Sequence, residues 1–173
     1  MTSVDLDVVV AVAVFVPMAV EAARASKNER AQRDRGGIEA SDDVYPVMRV
    51  VYPGAFLLMI VEGAVRNRAP SSAFVSGAAV FAFAKALKWW AIATLGRAWT
   101  FRVIVVRGDP IVAREPYRWM RHPNYAAVLG EFVGAARMTG AEIAGIIGTM
   151  AFALLLRKRI AVEERALATA RRA

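Results

Sequence analysis

Five apolar stretches follow one another along the chain, at about residues 4–23, 44–65, 71–95, 123–138 and 141–156. Hydrophobic residues make up 57% of the 173 positions. A water-soluble domain of this length buries only part of its surface and has nowhere to hide so large an apolar share. Lipid removes the difficulty. Each backbone polar group must then be satisfied within its own segment, which favours helices. The expected fold is therefore all-α: an integral membrane protein with about five transmembrane helices.

The polar segments between the stretches carry the rest of the pattern. Residues 24–43 alternate Lys and Arg with Glu and Asp up to Gly36-Gly37 and read as a loop, its first part able to continue the preceding helix. Pro53 lies inside the second stretch and is expected to kink its helix, which membrane helices tolerate. Arg66, Asn67, Arg68 and Pro70 close that stretch. The third contains Lys85, Lys88, Trp89 and Trp90, and the two lysines are expected to snorkel toward headgroups beside the tryptophan pair. Residues 96–122 hold Arg97, Arg102, Arg107, Arg114, Arg118 and Arg121 against Asp109 and Glu115. Within them 101–106 has strand character, but an open strand edge cannot sit in hydrocarbon, so the segment reads as an ordered or re-entrant loop at the membrane surface.

Only Thr139 and Gly140 separate the fourth and fifth stretches, which predicts a tight antiparallel hairpin. Each would span roughly 24 Å, slightly short for a bilayer core. Ala126, Ala127, Gly130, Gly134, Gly145 and Gly148 offer small surfaces for their close approach. Residues 157–172 are charged and are expected to form a separate C-terminal helix outside the membrane. Two parts follow: residues 1–70 with the first two helices, and 71–173 with a core of three helices, the loop and the tail.

Lys and Arg set the orientation. With five crossings, the basic segments 24–35, 97–121 and 157–159 share one side, and Arg66, Arg68 and Arg137 lie on the other. The N-terminus is then outside and the C-terminus cytoplasmic. Asp5 and Asp7 precede the first apolar run where a cleaved signal carries Lys or Arg, so that segment is expected to be retained. The net charge of +8 sits between apolar runs instead of forming an aromatic-studded stripe, which argues against nucleic acid and for contact with membrane lipid. The absence of cysteine excludes disulfides, thiolate catalysis and thiolate metal sites; no metal site is expected. Oligomeric state is not legible.

Two features carry chemistry. Arg121-His122-Pro123-Asn124-Tyr125 opens the fourth stretch: Pro123 fits a first helical turn, where its missing N–H costs nothing, and His122 then falls at the cap. Such a helix start favours an anionic group; the plain alternative is an interfacial cap with a tyrosine anchor. In the second feature, Arg159 and Glu163 are four apart and share a helix face, with Glu164 adjacent. This is either an ordinary surface ion pair or a pair of carboxylates facing a cationic ligand. Glu131 is an ionisable group inside the fourth stretch, and so a functional candidate by position, or else a partner for Lys85 or Lys88.

The order Leu95-Gly96-Arg97-Ala98-Trp99-Thr100-Phe101-Arg102-Val103, Pro116-Tyr117-Arg118, Arg121-His122-Pro123-Asn124-Tyr125, then Arg159 with Glu163-Glu164, resembles the isoprenylcysteine carboxyl methyltransferase family of membrane methyltransferases, its bacterial members above all. The likeness covers about residues 85–167. It implies S-adenosylmethionine as cofactor, with His122, Pro123, Tyr125, Tyr117, Glu163 and Glu164 as cofactor-binding residues. Arg159, Arg121 and Glu131 are the candidates near the reacting centre. Glu115 and Ala127 stand where the family often has glycine.

The implied activity is methyl transfer to a carboxylate or hydroxyl of a lipophilic small molecule or prenylated group. A carboxylate acceptor needs only steering by Arg159 or Arg121, whereas a phenol, with a pKa near 10, would need His122 or Glu131 as base. The competing readings are an NADPH-dependent membrane reductase of the sterol reductase type, which shares the Arg-His-Pro-Asn-Tyr run, and a non-catalytic membrane scaffold.

Overall fold

The computed structural model describes residues 3–66, 72–110 and 112–172. Asn67, Arg68 and Pro70, read as closing the second stretch, and Ser71, read as opening the third, lie outside them. Helix α1 (Ser3–Asp34) does not stop where its apolar run does. Residues 24–34 are mainly Ala, Arg, Lys, Glu and Gln, strong helix formers with no Gly or Pro among them. The helix ends at Gly36, whose φ of 80° suits a left-handed C-terminal turn, and the Gly37 N–H closes back onto the Gln32 carbonyl at 2.8 Å.

A two-residue strand follows, β1 (Ile38–Glu39), paired antiparallel with β2 (Ile104–Val105), Ile38 opposite Val105 and Glu39 opposite Ile104. Of residues 101–106, Ile104 and Val105 thus do form a short strand, and the segment after α1 supplies its partner. Between these come α2 (Tyr45–Arg66), continuous through Pro53, α3 (Ser72–Leu95) and a 3-10 turn at Gly96–Ala98. Then follow α4 (Pro123–Thr139) and α5 (Glu142–Arg172).

Among the described residues three helices are long and apolar enough to cross a membrane: Asp5–Asp34, Tyr45–Arg66 and Ser72–Ala98. Together with the exposed apolar surface of α1, α2, α3 and α5, such as Leu58, Phe83 and Ile146, they make this an integral membrane protein. α4 has 17 residues. The fifth stretch and the charged tail, expected as two helices, are one uninterrupted helix of 31 residues. Nothing in 155–160 breaks it: Leu, Arg, Lys and Ile contain neither cap nor breaker.

α4 has its tightest neighbour in α3. A Cβ on Gly134 would stand 2.7 Å from the Phe81 backbone nitrogen, and one on Gly77 2.7 Å from that of Met138. Gly130 abuts Ala84 in the same seam. Gly130 and Gly134, expected to serve the α4–α5 hairpin, therefore serve α3. The hairpin does turn where the sequence placed it, through Gly140 at φ 67°, and Gly145 on α5 meets Ala136 on α4. At the same end, the Glu62 carboxylate of α2 accepts the Ile143 and Ala144 N–H groups at 3.1 and 2.6 Å and so caps α5. The core between α2, α4 and α5 is aromatic, with Phe56, Phe132, Phe152 and Tyr52 at centroid separations of 4.8–5.7 Å.

Candidate functional site

The polar extension of α1 positions the loop that follows α3. Asn28 donates to the carbonyls of Gly96 and Trp99 at 3.0 and 2.7 Å, and Gln32 to that of Arg97 at 2.9 Å. Glu29 accepts the N–H groups of Phe101 and Arg102 at 3.1 and 3.2 Å. All three side chains are buried. An unpaired backbone polar group buried here would cost free energy, so these side chains dictate the loop's path.

Asp43 ties that loop to α5. One of its oxygens accepts the Val103 N–H at 2.7 Å. The other accepts the Tyr45 N–H at 3.0 Å and a short charge-assisted bond from Arg159. Arg159 also donates to the Tyr125 hydroxyl at 3.3 Å, which in turn donates to Glu163 at 2.6 Å. The row Asp43, Arg159, Tyr125, Glu163 thereby links the start of α2, α5 and the first turn of α4. Arg159 and Glu163 share a helix face as their spacing predicts, but Arg159 takes Asp43 as its ion partner and is 5% exposed. It is not a surface pair.

His122 caps α4, Pro123 takes the first helical position, and the His122 carbonyl accepts the Tyr125 N–H at 3.1 Å. The imidazole stacks on the Tyr125 ring with centroids 5.4 Å apart. Its Nε2 stands 3.5 Å from a Glu164 oxygen without hydrogen-bond geometry, and is one of the buried polar atoms without a partner; Asn124 Oδ1 is another. Arg121 pairs with Glu164 at 2.9 Å. Tyr117 reaches toward the Ala91 carbonyl at 3.5 Å. Burial, and after it the charge of Glu163, push its phenol well above the ordinary tyrosine range.

These groups surround a cavity of about 740 Å³. Arg121, His122, Asn124, Tyr125, Arg159, Glu163, Glu164 and Tyr117 line it on one side. The loop after α3, with Trp99, Phe101, Arg102 and Asp109, also lines it, as do Lys88, Met18 and Ala22 of α1, a face of α2 that includes Tyr52, and Val128, Phe152 and Leu156. Two sequence candidates stand apart. Pro123 is buried under the cap and does not line the cavity. Glu131 is likewise absent from the wall. It sits at 0% exposure between Lys85 and Lys88, at 2.9 and 3.2 Å, and those lysines also hold Glu21 of α1 at 3.0 and 2.6 Å. The lysines therefore point inward, at 13% and 3% side-chain exposure, and do not snorkel to headgroups. Carboxylates bound in a neutral quartet stabilise buried ammonium groups better than a long reach to water does. Glu115 and Ala127, the two departures from the family pattern, lie off the cavity wall.

Asp43 and the α2 face were missed from the sequence, and Asn124 was singled out only as part of the Arg121–Tyr125 run, without a role. Asp43 looks like any acidic loop residue. The α2 face did leave a signal: Tyr45, Met48, Arg49, Tyr52 and Pro53 all line the cavity, at helical spacings of three and four.

A helical membrane protein with a partly polar cavity between its loop, α2, α4 and α5 is the class these observations define. A model of the isoprenylcysteine carboxyl methyltransferase (ICMT) family matches residues 77–169, which include the Arg121–Tyr125 run, Arg159 and the acidic pair. The chain belongs to that family of membrane methyltransferases. It is 34% identical to the uncharacterized protein YpbQ of Bacillus subtilis (strain 168), over 88% of this chain and 91% of that one. It is 24% identical to an uncharacterized protein of Haemophilus influenzae, over 82% of this chain and 83% of the relative. No solved structure matches significantly.

Proposed function

We propose that the protein is an S-adenosylmethionine-dependent methyltransferase of the bacterial inner membrane, acting on a carboxylate or hydroxyl oxygen of a lipophilic, prenyl-like or long-chain, acceptor. The observation that carries this reading is one cavity joining His122, Tyr125 and the Glu163–Glu164 pair to walls of apolar helix. A cofactor with a cationic amino group and a polar nucleoside needs carboxylates and unfilled hydrogen-bonding atoms at one end. Glu163, which has no ion pair among the described residues, and the unpartnered His122 Nε2 and Asn124 Oδ1 fit that need. A greasy acceptor needs the apolar remainder.

When bound, the cofactor supplies an activated methyl group on a sulfonium. Glu163 and Glu164 would hold its amino and ribose ends. A carboxylate pressed against a centre that loses positive charge in the transition state would stabilise the ground state more, so these groups serve best away from sulfur. Tyr125, fixed between Glu163 and Arg159, keeps the acidic side chain in one orientation. The apolar wall excludes water and holds the acceptor close, and positioning of this kind can supply most of the acceleration in a displacement that needs little covalent help.

The test is binding of S-adenosylhomocysteine to the detergent-purified protein by calorimetry. Saturable binding is expected, weakened about tenfold or more in Glu163→Gln and His122→Ala by the loss of a charge-assisted or buried contact. NADPH binding in its place would favour a reductase, and binding of neither ligand a scaffold.

A further inference from the structure

The cationic side chains lining the cavity are Arg49, Lys88, Arg102, Arg121 and Arg159. Four of them are matched by carboxylates. Lys88 is held by Glu21 and Glu131, Arg102 by Glu39 and Glu29, Arg121 by Glu164 and Arg159 by Asp43. Arg49 of α2 has no ion pair among the described residues. Of the lining carboxylates, Asp109 is paired with Arg35 and Glu164 with Arg121, which leaves Glu163. Among the described residues the cavity wall thus keeps one carboxylate without an ion pair, Glu163 on α5, and one cation without an ion pair, Arg49 on α2.

Arg49 shares its helix face with Tyr45, Met48, Tyr52 and Pro53, all on the cavity wall. Arg49 is an exposed residue of that wall, and a guanidinium with no countercharge is suited to an oxyanion through paired N–H donors. We propose that Arg49 is the residue that binds the acceptor, and that the acceptor is a lipophilic anion whose charged oxygen it receives. This rests on the methyltransferase reading above and moves the steering role from Arg159 and Arg121, whose charges are already taken, to α2. An acceptor oxygen that arrives ionised leaves no proton to remove, so transfer of the methyl from sulfur to that oxygen needs no general base. The oxygen's negative charge and the sulfonium's positive charge cancel in the products.

An oxyanion at Arg49 has two sources, a substrate or an anionic headgroup, and the experiment separates them. The protein in phosphatidylcholine nanodiscs is given methyl-labelled S-adenosylmethionine and a lipid extract of its source cells, split by anion exchange into acidic and neutral fractions. Label is expected in products of the acidic fraction. Arg49→Gln should need about tenfold or more of that fraction for half-saturation, the effect of losing a charge-assisted contact. Arg49→Lys should recover part of it, and S-adenosylhomocysteine affinity should stay within about twofold in both, since neither touches the acidic pair. Label from the neutral fraction alone, label from neither, an unaltered Arg49→Gln, or an effect seen only after phosphatidylglycerol is added would each overturn the proposal. Failure of the wild type to bind S-adenosylhomocysteine would instead remove the reading beneath it.

Discussion

Arg159 is a guanidinium almost wholly withdrawn from water, and Asp43 is its charge partner. Asp43→Asn keeps the side chain's shape but removes the countercharge, leaving a buried cation uncompensated at a cost of about 3–5 kcal/mol. The expected result is a marked fall in the unfolding temperature of the detergent-solubilised protein, with Arg165→Ala, which loses only the exposed pair to Asp42, as a near-silent control. That Arg159 and Glu163 share a helix face was legible from their spacing, and only the family resemblance pointed to them as site residues. Their partners were not legible. Asp43 lies 116 residues from Arg159 and Tyr125 lies 38 from Glu163, and no local pattern encodes contacts of that range.

At the scale of elements, hydropathy located the five α-helices among the described residues, because long apolar runs leave few alternatives. It placed the ends less well. The sequence left room for the polar run after residue 23 to continue α1, as it does to Asp34, but the fusion of the last stretch with the tail follows from helix propensity, which hydropathy does not register. The small residues of α4 were legible as a packing surface, but which helix they packed against was not, since Gly130 and Gly134 look alike toward α3 or α5. The seam makes a sharp prediction. At Gly134 the obstacle is Phe81 backbone, which cannot swing aside as a side chain can. Gly134→Leu should therefore separate α3 from α4, costing at least the 1–3 kcal/mol typical of overpacking. Gly54→Leu, where a Cβ meets nothing, should change stability little. Thermal unfolding of the two variants in one detergent measures the contrast.

For the whole molecule, the quartet of Glu21, Lys85, Lys88 and Glu131, with Tyr52 donating to Glu131, ties α1, α2, α3 and α4 together. Lys88→Met alone leaves two carboxylates facing one ammonium and should destabilise by about 3–5 kcal/mol. Adding Glu131→Gln restores neutrality and should return about 1–3 kcal/mol of that as coupling in a double-mutant cycle, whereas independent residues would give additive losses.

Orientation is also a property of the whole. The basic segments that the sequence assigns to one side do meet in the structure: β1 pairs with β2, Arg35 pairs with Asp109, and Arg159 reaches Asp43. The α4–α5 turn lies at the opposite end, where Thr139 packs on Gly63 and Glu62 caps α5. If that end is periplasmic, α4 and α5 cross the membrane beside the three long spans, and 17 residues of α4 reach about 25 Å, enough for a locally thinned bilayer. The lack of cysteine makes single thiols unambiguous reporters. Thiols at Ser41 and Arg114 should react with an impermeant maleimide only in inverted vesicles, and a thiol at Glu142 only in intact spheroplasts. Labelling of all three from one side would mean that the last two helices dip in and return without crossing. Labelling of Ser41 from outside would place the cavity mouth, with its acidic pair, away from the cytoplasmic cofactor pool on which the proposed reaction depends.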